Sequence, residues 1–343
     1  MDSTLDNNSS TRKAERVELV TVKSPCQLSD LEKLPPMSDL EKLPQGLIYQ
    51  ITKYLNLTDF LQFIRVSKRL SNTSFTLQQL EDLFQNNSIF KKPELIRKYL
   101  KLIPFSFKIF HNVLIRSIEG NHISIVEMLL SDSRVDPSAY NNHAIRYAAQ
   151  NGHLQVIELL MTDPRVDPSA SDNDAICYAA ANGHLGVVEI LLADSRVDPS
   201  AAYNDAIGLA AQYGHLQIVE LLLTDSRVDP SDCINEAIRY AAHYGHVRVV
   251  ELLMAESRVD PSAGVNYAIK HAARYGHQEV VNILLADARV DPSADENYAI
   301  RSAAENGNLK VVELLVADSR VDPSANNNCA IQLAAENGHQ KIV

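Results

Sequence analysis

The sequence predicts an all-α protein, a solenoid of stacked helix pairs preceded by a small helical segment. Three observations carry this expectation. Val-Asp-Pro recurs at Val135, Val166, Val197, Val228, Val259, Val290 and Val321, always 31 residues after the last copy, and self-similarity at such a period marks a repeat architecture. Between successive copies lie two short stretches with helical apolar spacing, split by a glycine. The second stretch is apolar on nearly every side, so it needs cover from more than one neighbour. A single unit cannot supply that cover, whereas stacked copies can.

Each unit reads in order as helix, tight turn, helix and extended loop. Asn142, which recurs as Asn173, Asn204, Asn235, Asn266, Asn297 and Asn328, stands just before an apolar run. That position predicts an N-cap. Ala144, Ile145, Ala148 and Ala149 then form one helical stripe, whose alanines let a neighbouring backbone come close. Gly152 ends the helix, as Gly183, Gly214, Gly245, Gly276, Gly307 and Gly338 do later, because glycine enters the left-handed region cheaply. The second helix holds Leu154, Val156, Ile157, Leu159, Leu160 and Met161, with Gln155 and Glu158 its polar exceptions. Asp167-Pro168 then forces an extended chain.

The unit AAxNGHLxVVELLL resembles the ankyrin repeat, which pairs two antiparallel helices. The resemblance runs from about Asn112 to Val343 and covers one degenerate unit, six full units and one incomplete unit. The period is 31, against about 33 in the family. Forms such as His143-Ala144-Ile145-Arg146 replace the family's Thr-Pro-Leu-His opening, and Asp-Ser-Arg replaces the usual glycine after helix two. The last second helix stops at Val343, half built and without a polar cap, which predicts fraying from about Asn328.

The N-terminal third reads differently. Residues 1–28 are polar and of mixed charge, which predicts disorder. Residues 29–42 form a linker containing SDLEKLP, a segment duplicated at Ser38–Pro44. Residues 43–74 follow with a helical stripe of Leu47, Ile48, Ile51, Tyr54 and Leu55, a break at Leu57-Thr58-Asp59, and a second stripe of Phe60, Leu61, Ile64 and Val66. Over Leu43–Leu70 this resembles the F-box, matching at Leu43-Pro44, Leu47-Ile48, Ile51, Tyr54-Leu55, Asp59, Phe60-Leu61 and Val66-Ser67-Lys68-Arg69. Gly46 and Leu70 depart from the family pattern. The resemblance implies docking of Leu43, Pro44, Leu47, Ile48, Ile51, Leu55, Phe60 and Val66 onto the small adaptor of a cullin-type (SCF) ubiquitin ligase. A plain helical cap for the array is the alternative. Residues 75–110 predict two bridging helices, around Leu77–Phe84 and Glu94–Leu102, with Pro93 suited to a first turn.

Charge divides along the same boundary. The chain holds 32 basic and 43 acidic residues, of which residues 1–110 hold 16 and 12. Residues 111–343 therefore carry 16 basic and 31 acidic residues, a net charge of −15. So acidic a surface repels phosphate backbones, which argues against a nucleic-acid partner. Cys26, Cys177, Cys233 and Cys329 are scattered without a CxxC, so neither zinc nor a disulfide framework is expected. The first twenty residues hold no apolar core of signal-peptide length, and no run of about 18 apolar residues offers a membrane span. An intracellular location, cytoplasmic or nuclear, is the expectation.

Two invariant columns read as structural. His122, His153, His184, His215, His246, His277 and His339 recur once per unit. Packed helices lie about 8–10 Å apart, whereas zinc ligands sit about 2 Å from their ion. One histidine per unit therefore cannot converge on a metal, and hydrogen bonding is expected. Arg134, Arg165, Arg196, Arg227, Arg258, Arg289 and Arg320 each precede a recurring Asp (Asp136 and its equivalents) by two residues, which predicts loop salt bridges or solvated charge. No nucleophile–base pair, phosphate loop or carboxylate pair interrupts the repeat, so neither an enzyme nor a cofactor is expected.

The varying columns are the ones free to read a partner. They lie in the loop before helix one and on that helix's exposed side, positions that in ankyrin proteins resemble the partner-facing concave surface. Tyr213, Tyr244 and Tyr275 form a row across three consecutive units, beside Arg239, His243, Lys270 and Arg274. Tyr and Arg dominate interface energies, so a target-protein site is expected there. The expected function is a ligase substrate receptor, with the F-box joining the ligase and the repeats capturing the target. An ankyrin adaptor with no ubiquitin link is the alternative.

Overall fold

The computed structural model describes residues 107–343, together with Pro93, Glu94, Ile96 and Arg97, which are helical. The expectations for residues 1–92, including the F-box-like segment and its contact residues, lie outside the described residues. So does most of the expected 75–110 bridge.

Residues 107–343 form fifteen α-helices, and there is no strand among the described residues. The first helices of the pairs are α1 (Phe107–Glu119), α3 (Ala139–Gln150), α5 (Ala170–Ala181), α7 (Ala201–Gln212), α9 (Asp232–Tyr244), α11 (Ala263–Arg274) and α13 (Ala294–Glu305). Their partners are α2 (Ile123–Leu130), α4 (Leu154–Thr162), α6 (Leu185–Leu192), α8 (Leu216–Leu223), α10 (Val247–Ala255), α12 (Gln278–Leu285) and α14 (Leu309–Ala317), and α15 (Ala325–Glu336) follows alone. First helices pack on first helices of adjacent units, second helices on second helices, and each first helix on its own partner. The alanine stripe permits this, since Ala144, Ile145, Ala148 and Ala149 are all fully buried, as are Val156, Ile157 and Leu160.

The asparagine column is not the N-cap that the sequence suggests. Asn142 has φ 55° and ψ 41°, closing a run of three left-handed residues that begins at Tyr140. The same left-handed run falls within the first turn of every first helix from α3 onward, so the right-handed part of each helix starts only after its asparagine. Asparagine tolerates this conformation better than most residues. Its buried side chain faces away from its own helix. Asn142 Oδ1 accepts a hydrogen bond from the Asp167 amide at 2.8 Å, and the five following units repeat the bond at 2.7–2.9 Å. The column thus ties each first helix to the loop leaving its own unit.

The other columns hold one unit to the next. Gly152 has φ 70°, and the space its Cβ would fill is taken by the His184 ring of the next unit, 2.5 Å away. That histidine donates from Nε2 to the Gln150 carbonyl at 3.0 Å, and His215, His246, His277 and His339 make the equivalent bond. Asn308 replaces the histidine once and reaches the same place, donating to the Ala273 and Arg274 carbonyls at 3.0 and 2.8 Å. His153, against the degenerate first pair, keeps its Nε2 buried without a hydrogen bond.

The arginine column forms the expected ion pairs, but with a different carboxylate. Arg165 binds Asp163, two residues before it, at 2.6 Å. Asp167 instead accepts from the Ser169 amide and hydroxyl. Arg165 also donates to the Val135 carbonyl of the preceding unit at 2.7 Å, and the bond recurs in every later unit. The arginine hydrogen bond holds the Asp163 carboxyl below its usual range despite partial burial.

Helix α15 runs past Asn328, the residue from which fraying is expected. α15 continues to Glu336, with Ala334 fully buried and Ala330 nearly so. It packs on α13, and His339 reaches the Glu305 carbonyl. Of the incomplete second helix only turns remain after Gly338.

Candidate functional site

Two rows of exposed side chains fall on the same three units. Tyr213 and Tyr275 cap the C-terminal ends of α7 and α11, and Tyr244 is the last residue of α9. All three rings are about half exposed, at 53, 49 and 50 %. Each lies 6.4 Å from the column histidine two residues on, so the rings rest on the stack without being enclosed by it. At the opposite end of the same helices, the left-handed turns present Tyr203, Ile234 and Val265 at 75, 66 and 66 % exposure. Their φ angles are 61°, 60° and 57°. That conformation is costly for any L residue and worst for β-branched ones such as Ile and Val.

Between the rows, the helix faces carry an aromatic and basic cluster. His243 lies 4.6 Å from both Tyr244 and Tyr275 and 5.2 Å from His271. Tyr267 stacks on His271 at 3.8 Å, and its hydroxyl is 3.3 Å from His243 Nδ1. The Arg239 guanidinium sits 5.1 Å over the Tyr267 ring. Lys270 pairs with Asp295 at 3.1 Å, and Arg274 donates to the Tyr298 hydroxyl at 3.3 Å. Burial lowers the His271 pKa to about 4, helped by neighbouring His243, Arg274, Lys270 and Arg239. Burial first, then His277 and Arg274, lowers His243 as well. Both imidazoles are therefore neutral near pH 7, and Arg239, Lys270 and Arg274 supply the positive charge.

Of the seven residues expected to form the site, the structure brings Arg239, His243, Tyr244, Lys270, Arg274 and Tyr275 to one face of α9 and α11. Tyr213 stands one unit away, in ring contact with His215. The sequence reading missed Tyr267 and His271, the tightest ring pair of the cluster. The signal was present, because Tyr267, His271 and Tyr275 recur at four-residue spacing on one helical face. Their columns hold Glu236 and Tyr240 one unit earlier and Asp174 and Tyr178 three units earlier, which hid the local pattern. The exposed turn row falls in the loop before helix one, a region expected to read a partner, but its residues Tyr203, Ile234 and Val265 were not singled out.

No group of three or more His, Cys, Asp or Glu side chains among the described residues is placed to hold a metal ion. No described helix is long and apolar enough to cross a membrane.

Stacked helix pairs held by repeating inter-unit hydrogen bonds, with variable side chains on one face, define a helical-repeat binding scaffold. The family model for ankyrin repeats matches in overlapping segments at residues 114–203, 146–232, 176–265, 207–295 and 269–343, well over half of the chain. The chain belongs to the ankyrin-repeat family, whose repeats bind protein partners. Comparison with the curated proteins finds no match.

Proposed function

We propose that the chain is a protein-interaction scaffold that captures a target on the first-helix face of α7, α9 and α11. One observation carries the reading. Two exposed rows rich in tyrosine and aliphatic side chains fall on the same three consecutive units, while the columns that hold the stack together are almost invariant. Side chains that neither pack nor repeat are the ones available to a partner, and aromatic and arginine side chains are the types that concentrate binding energy. Affinity capture with the full chain, followed by mass spectrometry, tests it. Proteins retained by the wild type should be lost with Tyr213→Ala/Tyr244→Ala/Tyr275→Ala at unchanged helix content. Retention of all of them would exclude this face.

The finer reading is a substrate receptor in which the segment Leu43–Leu70 joins the captured target to a cullin-type ligase adaptor. It is supported by the F-box-like sequence alone, since the family match begins at residue 114. Leu43→Ala/Pro44→Ala should abolish pulldown of the adaptor without affecting target capture. No adaptor binding by the wild type would leave an ankyrin adaptor with no ubiquitin link.

A further inference from the structure

The cations of the array are concentrated in a way that names a partner chemistry. Residues 111–343 hold 16 Lys and Arg. Seven are the column arginines committed to inter-unit loops. Of the other nine, Arg239, Lys270, Arg274 and Arg301 stand on three successive first helices, α9, α11 and α13. Among the described residues, no carboxylate lies within 4 Å of Arg239, Arg274 or Arg301, whereas every column arginine has one. The three guanidinium groups are instead set against tyrosine rings, at 5.1 Å (Tyr267), 5.9 Å (Tyr275) and 5.8 Å (Tyr298).

Their donors are only partly used. Arg239 donates from Nη2 to the Cys233 carbonyl, and its Nε is buried out of reach of a partner, which leaves Nη1. Arg274 donates to one hydroxyl, and Arg301 to the Glu296 and Asp295 carbonyls. Each guanidinium has five N–H donors in a planar fork suited to carboxylates. The aromatic rings beside them restrict their rotation and lower the entropy lost on pairing.

We infer that this face takes an extended, acidic segment of a protein partner, its carboxylates on Arg239, Arg274 and Arg301 and its apolar side chains against Ile234 and Val265. The inference rests on the reading above that the first-helix face binds a protein. Charge fixes the register. In the column that holds Tyr267 and Tyr298, α5, α7 and α9 carry Asp174, Asp205 and Glu236. Burial, then Glu236 and Asp174, raises the Asp205 pKa. An acidic segment is repelled from α5 and α7 and attracted to α11, where Lys270 and Arg274 stand without an Asp or Glu on the same helix; on α13, Asp295, Glu296 and Glu305 accompany Arg301 and oppose it there. Adjacent helices lie about 8–10 Å apart and an extended chain advances about 3.3 Å per residue. The acidic residues of the partner are therefore spaced about three apart. A nucleic acid would also present anions, but the surrounding net charge of −15 opposes so extended a polyanion.

A display library of random peptides about twelve residues long, enough to span four units when extended, tests this when panned on the full chain. The expected result is enrichment of Asp and Glu at spacings of about three with apolar residues between. Selected peptides should bind Arg239→Gln/Arg274→Gln/Arg301→Gln at least roughly tenfold more weakly, since even one charge-assisted hydrogen bond contributes that much. They should bind Arg248→Gln, on the face of α10, as tightly as wild type. Helix content, followed by circular dichroism, separates a lost site from a lost fold, and Lys replacements should restore part of the binding. Selection of nothing, selection without acidic enrichment, or binding indifferent to the three arginines would overturn the inference. Tighter binding of a random single-stranded oligonucleotide with the same arginine dependence would overturn it in favour of nucleic acid. Loss of captured proteins in the tyrosine variant but not in the arginine variant would leave the scaffold reading standing and sink this one.

Discussion

Ile234 sits in the middle of a left-handed turn, with φ 60° and a side chain that is 66 % exposed. An L residue in that conformation costs about 1–2 kcal/mol, and glycine escapes the cost because it has no Cβ. Glycine in turn costs about 0.5–1 kcal/mol more backbone entropy on folding than alanine. Comparing Ile234→Gly with Ile234→Ala removes the side chain in both and leaves only this balance, so the glycine variant should be the more stable by about 0.5–1 kcal/mol. At Glu251, an exposed position inside the right-handed helix α10, the same comparison should reverse, with glycine about 1 kcal/mol below alanine. Urea denaturation followed by circular dichroism reads both differences, and Val265 provides a second turn site. A glycine variant less stable than the alanine variant at 234 and 265 would refute the claim that these turns are left-handed.

Three further outcomes follow from the packing. His246→Asn should stay within about 0.5 kcal/mol of wild type, whereas His246→Ala should lose about 1 kcal/mol by thermal or urea unfolding, because Asn308 already makes the equivalent bonds with a carboxamide. Gly214→Ala should lose at least about 1–2 kcal/mol, since Gly214 has φ 76° and the His246 ring lies 2.5 Å from where a Cβ would be; a neutral result would mean that the two units do not interlock. The His271 pKa is about 4 when folded against an ordinary histidine value of 6.5, so the unfolded state binds the proton more readily between those limits. Its contribution is complete above pH 6.5 and is lost as pH falls toward 4. Stability should drop over that window by on the order of 1 kcal/mol, because His271 is only half-buried and solvent screens the penalty. His271→Leu should flatten that part of the profile.

The stack was legible because its cause is local and repeated. An apolar stripe, a glycine and an Asp-Pro every 31 residues leave one way to bury the second helix. The conformation of the turn was not legible. Asn142 before an apolar run has the pattern of a cap, and nothing in Ile234 or Val265 signals a left-handed backbone, since these residues are poorly suited to it. The arginine partner was misassigned because Asp163 and Asp167 stand equally far from Arg165 in sequence, and the choice between them depends on the tight turn after helix two. Six of the seven expected partner-site residues lie together on α9 and α11, although exposure alone does not account for them, since the Lys270 side chain is only 13 % exposed. Tyr267 and His271 escaped notice because a column-by-column comparison passes over contacts that run along a single helix.

Site-specific photo-crosslinking inside cells tests the central claim most directly. A photoreactive residue in place of Tyr244, on the first-helix face, should yield a discrete protein adduct that disappears when Tyr213→Ala and Tyr275→Ala are added. The same residue in place of Val316, which is 52 % exposed on the second helix α14, should yield none. Equal adducts at both positions, or an adduct at 244 indifferent to its tyrosine neighbours, would contradict the account.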